Sequence, residues 1–314
     1  MPLSRWIERA DVAEHIAVLS NPFAGKGRGR READAAVAHL RAGGAEVKVY
    51  TGDSAASSLV LAAQALGANP RVLVVVGGDG TLSGILDLVC AASVPVALVP
   101  AGTGNDLARA LGLPRHDPIA AAELARTGVR RAVDVGTIRT AERTASFLTI
   151  AALGFDAKVS DRTNRLRWPH GALRYYVALL IELARLRPME FSVGFDGSAP
   201  TNAAGTLIAV GNTASYGGGM PVCAGAAPDD GMLDVVRVAP LSRIRLLTLF
   251  PLLLRGTHFT RPEVRHDRVR EVTVSAPGLV VYADGERIGE DACTISVRPA
   301  ALTVMVPAAP EVSA

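Results

Sequence analysis

The sequence predicts an α/β domain with a parallel sheet, followed by a domain rich in antiparallel strands. First, from about residue 13 to 135, short runs of β-forming residues alternate with helical stretches rich in alanine. Second, these runs are continuously apolar, as in Val72–Val76, which is typical of parallel strands covered on both faces. Third, after about Gly136 most predicted strands follow one another without a helix between them, which indicates antiparallel pairing.

The first domain is predicted to repeat a strand and a helix. Apolar β-rich runs predict the strands, and the alanine-rich segments between them predict helices. In chain order the elements are strand Ile16–Leu19, helix Arg30–Leu40, strand Ala45–Tyr50, helix Ser54–Leu66, strand Val72–Val76, helix Thr81–Val89 and strand Val94–Val99. Ligands of such folds bind beyond the carboxyl ends of the strands.

The second domain is predicted to contain mainly strands, with two helical insertions. The strands are Ser146–Ala151, Glu190–Phe195, Thr206–Val210, Leu233–Val238, Val269–Ser275 and Leu279–Ala283, and the helices are Ala172–Leu186 and Ser242–Arg255. A last strand, Ala301–Val306, could pair with either domain. We therefore expect domains at residues 1–136 and 137–300, and a C-terminal strand and tail at 301–314 that could return to the first domain.

Composition excludes several classes of protein. Of the 314 residues, 49% are hydrophobic and 20% are charged, which argues against extensive disorder, and a net charge of +3 does not predict a nucleic-acid partner. Three widely spaced cysteines suggest neither a disulfide framework nor a zinc site. The most apolar segment, Leu246–Leu254, is interrupted by Pro251 and has about half of the roughly 20 residues that a membrane span requires. With no apolar signal segment near residue 1, we expect a cytoplasmic protein.

Three glycine-rich turns follow predicted strands of the first domain. They are Ser20–Gly29, Gly77–Thr81 and Pro100–Arg109. Glycine lets the backbone approach a ligand closely, and amides at a helix start favour an anion. Asp79 would repel a phosphate unless a magnesium ion or a substrate hydroxyl lay between them, so it suggests more than anion binding. A tight turn with Asp79 as a helix cap is the structural alternative.

These turns resemble the nucleotide-site motifs of the soluble bacterial diacylglycerol kinase family, which is related to sphingosine and ceramide kinases. Further matches are Leu153–Asp156, Tyr216–Met220, Pro228–Asp234 and Asp284-Gly285-Glu286, in collinear order over about residues 15–306. The resemblance implies an α/β nucleotide-binding domain followed by an antiparallel β-sandwich, with the active site in the cleft between them. It also implies an enzyme that uses ATP and Mg²⁺, and a homodimer is compatible with it.

The resemblance assigns the nucleotide site to one set of residues. It comprises Asn21, Gly25, Gly27, Thr51, Gly77, Gly78, Asp79, Gly80, Thr81, Thr103, Asn105 and Asp106. Asp79 would lie closest to the metal or the acceptor hydroxyl, whereas Asp106 could equally cap a helix. Lys26, Arg28 and Arg30 would add positive charge, or would belong to a solvated loop.

A lipid alcohol needs a base that accepts its proton as the phosphoryl bond forms. The resemblance implies that Asp284-Gly285-Glu286 supplies it; we favour Asp284, assisted by Asp134, with Glu286 as the competing candidate. Asp284 and Glu286 are two apart and would point to one side of an extended segment, with a hairpin turn as the alternative.

The resemblance also implies a second magnesium site. There, the Asp230 carboxylate and the backbone carbonyls of Ala227 and Met232 would hold an ion that organises the second domain. Oxygen ligands of this kind suit a hard cation. A plain Asp-Gly turn without metal is the alternative.

We therefore expect an ATP-dependent kinase of diacylglycerol or a related lipid alcohol. Segments 162–187 and 243–255 mix arginine with bulky apolar residues, and we expect at least one to contact the membrane surface or an acyl chain, unless they are core. Such a protein would associate peripherally with the inner face of the membrane. The alternatives are a kinase of a soluble hydroxyl compound such as NAD, and a non-catalytic nucleotide- or lipid-binding regulator.

Overall fold

The computed structural model describes residues 13–166, 168–169 and 172–308. Arg167, part of the first predicted membrane segment, and residues 309–314 of the predicted tail lie outside them. The chain divides into two compact units. The first comprises the chain up to Gly102, Leu113–Arg131 and the chain from Thr303 onward, and the second comprises Thr103–Gly112 and Ala132–Leu302.

The first part of the chain alternates strands and helices, as predicted. Its elements are β1 (Ala13–Ser20), α1 (Ala24–Ala42), β2 (Val47–Thr51), α2 (Ala55–Gly67), β3 (Pro70–Gly77), α3 (Asp79–Ser83), α4 (Leu86–Ala92), β4 (Val96–Pro100), α5 (Asp106–Ala110) and α6 (Pro118–Thr127). Of these, α5 belongs to the second unit.

A parallel sheet forms the core of the first unit. Its strands lie in the order β4-β3-β1-β2. Residues Val72–Val76 of β3 are buried, in agreement with a strand covered on both faces. Helix α1 places Ala33, Ala36 and Leu40 in the core, at the spacing of one helical face.

One helix of the first domain was predicted wrongly. Thr81–Val89 is not a single helix, because the chain forms α3 and α4 with a break at Gly84 and Ile85. Glycine is unfavourable in a helix interior, and Gly84 ends α3. The break still leaves Leu82, Ile85, Leu86 and Val89 buried.

Strands predominate in the rest of the chain. The elements are β5 (Val129–Arg139), β6 (Thr144–Phe147), β7 (Ile150–Gly154), α7 (Phe155–Arg165), α8 (Ala172–Ala184), β8 (Met189–Phe195), β9 (Thr201–Gly205), β10 (Leu207–Gly211), β11 (Leu233–Val238), α9 (Arg243–Leu254), a 3₁₀ turn (His258–Thr260), β12 (Val264–Val269), β13 (Glu271–Ala283) and β14 (Glu286–Val306). Both predicted helical insertions are present as α8 and α9. Helices α6 and α7, strands β5, β9 and β12, and residues 286–300 of β14 were not predicted.

The second unit is an antiparallel, sandwich-like β domain. Strands β12-β11-β10-β7-β13-β14 form its main path, while β8 and β9 extend from β13 and β5 pairs with β6 and β14. Alternate residues of these strands, including Phe147, Val210 and Ile295, form one buried cluster. This arrangement confirms the predicted fold class.

Two predicted strand boundaries in the second unit were wrong. Ser146–Ala151 is divided between β6 and β7, because the amides of Leu148 and Thr149 donate to a side chain instead of a neighbouring strand. Conversely, the two strands predicted within 269–283 are one strand, β13, with an irregular register between Ser275 and Val280.

The last strand, whose partner the sequence left open, pairs with the first-unit sheet. Val304 at the end of β14 lies beside Val96 of β4 in parallel register. Within the described part of the chain, every helix is too short or too polar to cross a membrane.

Candidate active site

Two of the predicted glycine turns, and the start of the third, come together in the first unit. Adjacent parallel strands β1, β3 and β4 end at Ser20, Gly77 and Pro100, so the turns leave one edge of the sheet. The contact between them is close: a Cβ on Gly78 would lie 2.9 Å from the Cα of Gly102. The predicted shared edge is therefore present.

The first turn has an unusual backbone. Gly25, Lys26 and Gly27 all have positive φ angles, of 57°, 63° and 91°. A Cβ on Gly25 would lie 1.9 Å from the carbonyl oxygen of Ala101, so both the φ angle and the contact require glycine. Successive amides in such a turn can form a concave site for an anion.

Polar side chains hold this turn in place. The guanidinium of Arg28 donates to the carbonyl of Gly102 at 2.8 Å and to that of Gly25 at 3.3 Å. The Asn21 carboxamide oxygen accepts from the amide of Phe23 at 3.0 Å. Arg28 and Asn21 therefore shape the turn, besides any contact with a ligand.

Thr51 lies at a groove in the first unit. Its hydroxyl is 3.1 Å from the hydroxyl of Ser20. The groove has a volume of about 620 Å³, and Arg30, Asp34 and Arg41 also line it. That volume is typical of a pocket for a small ligand.

The Gly77–Thr81 turn leads from β3 into α3. A Cβ on Gly77 would lie 2.4 Å from the Oγ1 atom of Thr81, which is too close. Position 77 therefore needs glycine. Asp79 is half-buried at the start of α3, and Gly80 is exposed with open space beside it. The backbone of this turn is therefore accessible at Gly80, next to the Asp79 carboxylate.

The third motif divides between the units. Thr103, Asn105 and Asp106 belong to the second unit. There, the buried Asp106 carboxylate accepts from the amide of Gly218 at 2.8 Å, and Arg109 donates to the Gly218 carbonyl at 3.0 Å. Asp106, predicted in the nucleotide site, thus anchors the glycine-rich turn after Tyr216.

Asp284 does not lie in an extended segment, so that part of the prediction was wrong. Asp284 and Gly285 form the two-residue turn between β13 and β14, with φ angles of 47° and 83°. The Asp284 carboxylate accepts from the amides of Leu148 and Thr149, at 2.8 and 2.9 Å, and from the Thr149 hydroxyl at 2.5 Å. The carboxylate fastens the turn to the corner between β6 and β7.

Glu286 has a different environment. It is the first residue of β14, and its side chain is 61% exposed. Arg143 lies 3.5 Å from its carboxylate and also donates to the carbonyl of Arg287 at 2.7 Å. Glu286 therefore presents an accessible carboxylate beside a fixed cation.

Asp134 is buried and bonded to backbone on both sides. Its two oxygens accept from the amides of Gly231 and Ala300, each at 2.7 Å, and its own amide donates to the carbonyl of Pro228 at 2.7 Å. Ala300 has a positive φ of 51°. These bonds connect three segments, so the geometry favours an anchoring role over proton transfer.

The predicted metal turn does not present a free carboxylate. Asp230 accepts from the amide of Met232 at 3.0 Å through one oxygen and forms an ion pair with Arg268 through the other. Ala227 precedes this turn. Among the described residues, no group of three or more His, Cys, Asp or Glu side chains could hold a metal ion. Because the cationic Arg268 already pairs with Asp230, the side chains around Asp230 do not fit a magnesium site.

The second unit contains an apolar cavity that the sequence did not predict. Its volume is about 120 Å³, and most of its lining comes from leucine, valine and other apolar side chains of α7, α8, α9 and β10. The leucine-rich pattern of α8 and α9 was its signal, but the same pattern fits core or membrane contact. Leu249 is buried, whereas Ile244, Leu247 and Leu254 of α9 are exposed, so α9 packs into the core on one side and exposes apolar side chains on the other.

One polar pair interrupts the apolar wall. The Tyr216 hydroxyl donates to the Asp156 carboxylate, and both residues line the cavity. Burial raises the pKa of Asp156, although the Tyr216 bond opposes the shift. Burial, and then the negative charge of Asp156, raise the pKa of Tyr216 well above its ordinary value. A ligand in this cavity would meet this acidic hydrogen-bonding pair in a mostly apolar wall.

Comparison with known proteins agrees with these features. Residues 15–138 match the diacylglycerol kinase catalytic domain, and residues 149–306 match the YegS C-terminal NAD kinase beta sandwich-like domain. A diacylglycerol kinase of Mycobacterium tuberculosis is 41% identical over 293 residues, covering 93% of this chain and 95% of its own.

Two solved structures share the fold. A diacylglycerol kinase from Bacillus anthracis superposes with a TM-score of 0.69 at 19% identity, over 93% of this chain and 97% of its own. An NAD kinase from Archaeoglobus fulgidus in complex with ATP gives a TM-score of 0.52 at 15% identity, over 93% of each chain.

Proposed function

The chain belongs to the bacterial diacylglycerol kinase and YegS-like lipid kinase family, and on this premise we propose that it transfers the γ-phosphoryl group of ATP to the hydroxyl of diacylglycerol or a closely related lipid alcohol. The relative from M. tuberculosis is named for diacylglycerol, and it matches nearly the whole of this chain.

The apolar cavity of the second unit carries the proposal. A soluble acceptor such as NAD needs several polar partners, whereas an acyl chain needs apolar surface removed from water. The only ionisable side chains that line the cavity, among the described residues, are Asp156, Tyr175, Tyr216 and His258. The cavity therefore suits part of an acyl chain, with the Asp156–Tyr216 pair available to a polar group of the lipid.

ATP binding is assigned to the first unit. The left-handed Gly25–Gly27 turn and the Gly77–Thr81 turn offer backbone amides to phosphate oxygens, and the groove beside Thr51 offers room for the nucleoside. Asp79 would hold the Mg²⁺ that accompanies ATP, because a half-buried carboxylate beside a phosphate-binding turn suits a hard cation. When bound, that ion supplies neutralisation of the charge on the transferred group.

Glu286 is the better candidate for the general base. A base must accept a proton, and the Asp284 carboxylate already accepts three hydrogen bonds that hold the β6–β7 corner. Glu286 is exposed and can approach an acceptor hydroxyl, while Arg143 orients it. Asp284 then positions Glu286 by fixing the turn that precedes it, and Asp134 positions the neighbouring backbone.

Helices α8 and α9 form the proposed membrane-binding face. Their exposed apolar side chains are Leu173, Tyr176, Leu180, Ile244, Leu247 and Leu254, with Trp168 just before α8. Leu180 and Leu247 also line the cavity, so they mark an entrance for the lipid. Arg185, Arg187, Arg243 and Arg255 are exposed in the same segments, and each arginine near anionic headgroups contributes about 1 kcal/mol of attraction. The protein would therefore act at the inner face of the membrane.

A phosphoryl-transfer assay with labelled ATP tests the proposal. The acceptors are diacylglycerol in mixed micelles, a sphingoid base, a polyprenol and NAD, and the product is identified by mass. We expect label in diacylglycerol and none in NAD. Transfer to NAD alone would support the soluble-acceptor alternative, and ATP binding without any transfer would support a regulator. The matched variant is Glu286→Gln, which should bind ATP but transfer label about 10²–10⁴-fold more slowly.

A further inference from the structure

Protein groups on two sides hold the turn formed by residues 228–232. On its inner side, Asp134 accepts from the amide of Gly231 at 2.7 Å, and the Asp134 amide donates to the carbonyl of Pro228 at 2.7 Å. Asp134 is 2% exposed, so these bonds are protected from water. The 228–232 turn is thus fixed to β5 at both ends.

The outer side of the 228–232 turn is closed by Asp230. One carboxylate oxygen accepts from the amide of Met232, two residues along the chain, at 3.0 Å. The other oxygen forms an ion pair with the guanidinium of Arg268. The Asp230 side chain is 28% exposed, and the pair is therefore partly shielded from solvent.

The position of Arg268 follows from the sheet. It lies on β12, at the register position opposite Asp234 of β11. On the same face of β12, the Nε2 atom of His266 lies 2.5 Å from a carboxylate oxygen of Asp234. Edge strand β12 thus supplies a basic group to each of two acidic residues, Asp230 and Asp234.

A magnesium ion at Asp230 would conflict with this arrangement. A hard cation takes about six oxygen ligands, and this turn offers the carboxylates of Asp229 and Asp230 and backbone carbonyls. Arginine stays protonated, so Arg268 would repel a divalent ion that shared Asp230. To bind one, the turn would have to break an ion pair that the strand register favours.

We propose that Arg268 takes the place of a divalent cation at the 228–232 turn, so that the second unit is organised there by an ion pair instead of a metal. The proposal does not depend on the kinase reaction, because it concerns only how this turn is held. It predicts that magnesium does not stabilise the folded chain by binding at Asp230.

Thermal unfolding of the full chain without nucleotide tests this. Unfolding midpoints are measured in EDTA and in millimolar magnesium chloride at matched ionic strength, for the unmodified protein and for Asp230→Asn. The readout is the change in midpoint caused by magnesium in the unmodified protein minus the same change in Asp230→Asn. We expect this difference to be zero. A saturable rise in the midpoint that is present in the unmodified protein and lost in Asp230→Asn would overturn the proposal.

A double-mutant cycle tests the ion pair itself. Arg268→Ala and Asp230→Asn should each lower the midpoint by about 1–3 °C, as expected for a partly exposed pair. The double variant should lose little more than either single variant, because both remove the same interaction. Arg265→Ala, on the opposite face of β12, is the matched control and should not couple to Asp230→Asn. Full additivity of the Asp230 and Arg268 losses would contradict the proposal.

Discussion

Filling the apolar cavity should raise stability and weaken lipid binding. Ala209 is a buried residue of β10 that lines the cavity. Ala209→Leu adds three carbon atoms, which corresponds to about 2.4 kcal/mol at roughly 0.8 kcal/mol per buried carbon. The cavity volume of about 120 Å³ sets a similar limit of about 3 kcal/mol, at roughly 24 cal/mol per Å³. After loss of side-chain entropy, we expect a net gain of about 1–2 kcal/mol in the free energy of unfolding.

The same leucine occupies space that the acyl chain needs. If it displaces about three methylene groups of the lipid, the lost transfer energy corresponds to a KM for diacylglycerol about 50-fold higher. The KM for ATP should not change, because the nucleotide site is assigned to the other unit. Urea unfolding measures the first effect, and initial rates in mixed micelles measure the second.

Ala151→Leu is the matched control. Ala151 lies on neighbouring strand β7, but it packs in the main core of the second unit and does not line the cavity. The same substitution there should destabilise by about 1–3 kcal/mol through overpacking. If Ala209→Leu were also destabilising, the cavity would not be empty beside Ala209. If it were stabilising but left the KM for diacylglycerol unchanged, the cavity would not be the lipid site.

Three further outcomes are expected. Glu286→Gln should lower kcat by about 10²–10⁴-fold without lowering the unfolding midpoint, whereas Asp284→Asn should lower both kcat and the midpoint. A normal kcat in Glu286→Gln would show that Glu286 is not the base. The folded-state pKa of Asp156 lies above its ordinary value of 3.8, so its stabilising contribution is present at low pH and is lost as the pH rises through the folded pKa. The free energy of unfolding of Asp156→Asn, relative to that of the unmodified protein, should therefore increase from mildly acid to neutral buffers. A difference that stays constant with pH would contradict the raised pKa. Ile244→Glu should reduce sedimentation with anionic vesicles, and Ile119→Glu, exposed on α6, should not; equal loss in both would argue against α9 as the membrane face.

Local patterns made the fold predictable. Continuous apolar runs such as Val72–Val76 identify buried parallel strands. Positive φ angles require glycine at Gly25 and Gly27, and close contacts require it at Gly77 and Gly78. The breaks at Gly84 and at Leu148 were missed, although glycine was a local signal for the first. The second has no local signal, because it depends on hydrogen bonds to Asp284, 136 residues away.

The candidate site was predictable as a set of residues, but their roles were not. Asp134, Asp284 and Glu286 are all acidic, and the sequence cannot show which of them accept hydrogen bonds from distant backbone. The partners of Asp134 lie 97 and 166 residues away, and those of Asp284 at least 135. Those contacts make two of the carboxylates anchors and leave Glu286 accessible.

Local sequence patterns were enough to predict most of the strands and helices and the glycine turns, because periodicity and φ requirements act within a few residues. The tertiary structure alone decided the hydrogen-bond partners of each buried carboxylate, the cation beside Asp230 and the apolar cavity. These features depend on groups brought together from distant parts of the chain, since burial and hydrogen bonding act through space and leave no mark at one position.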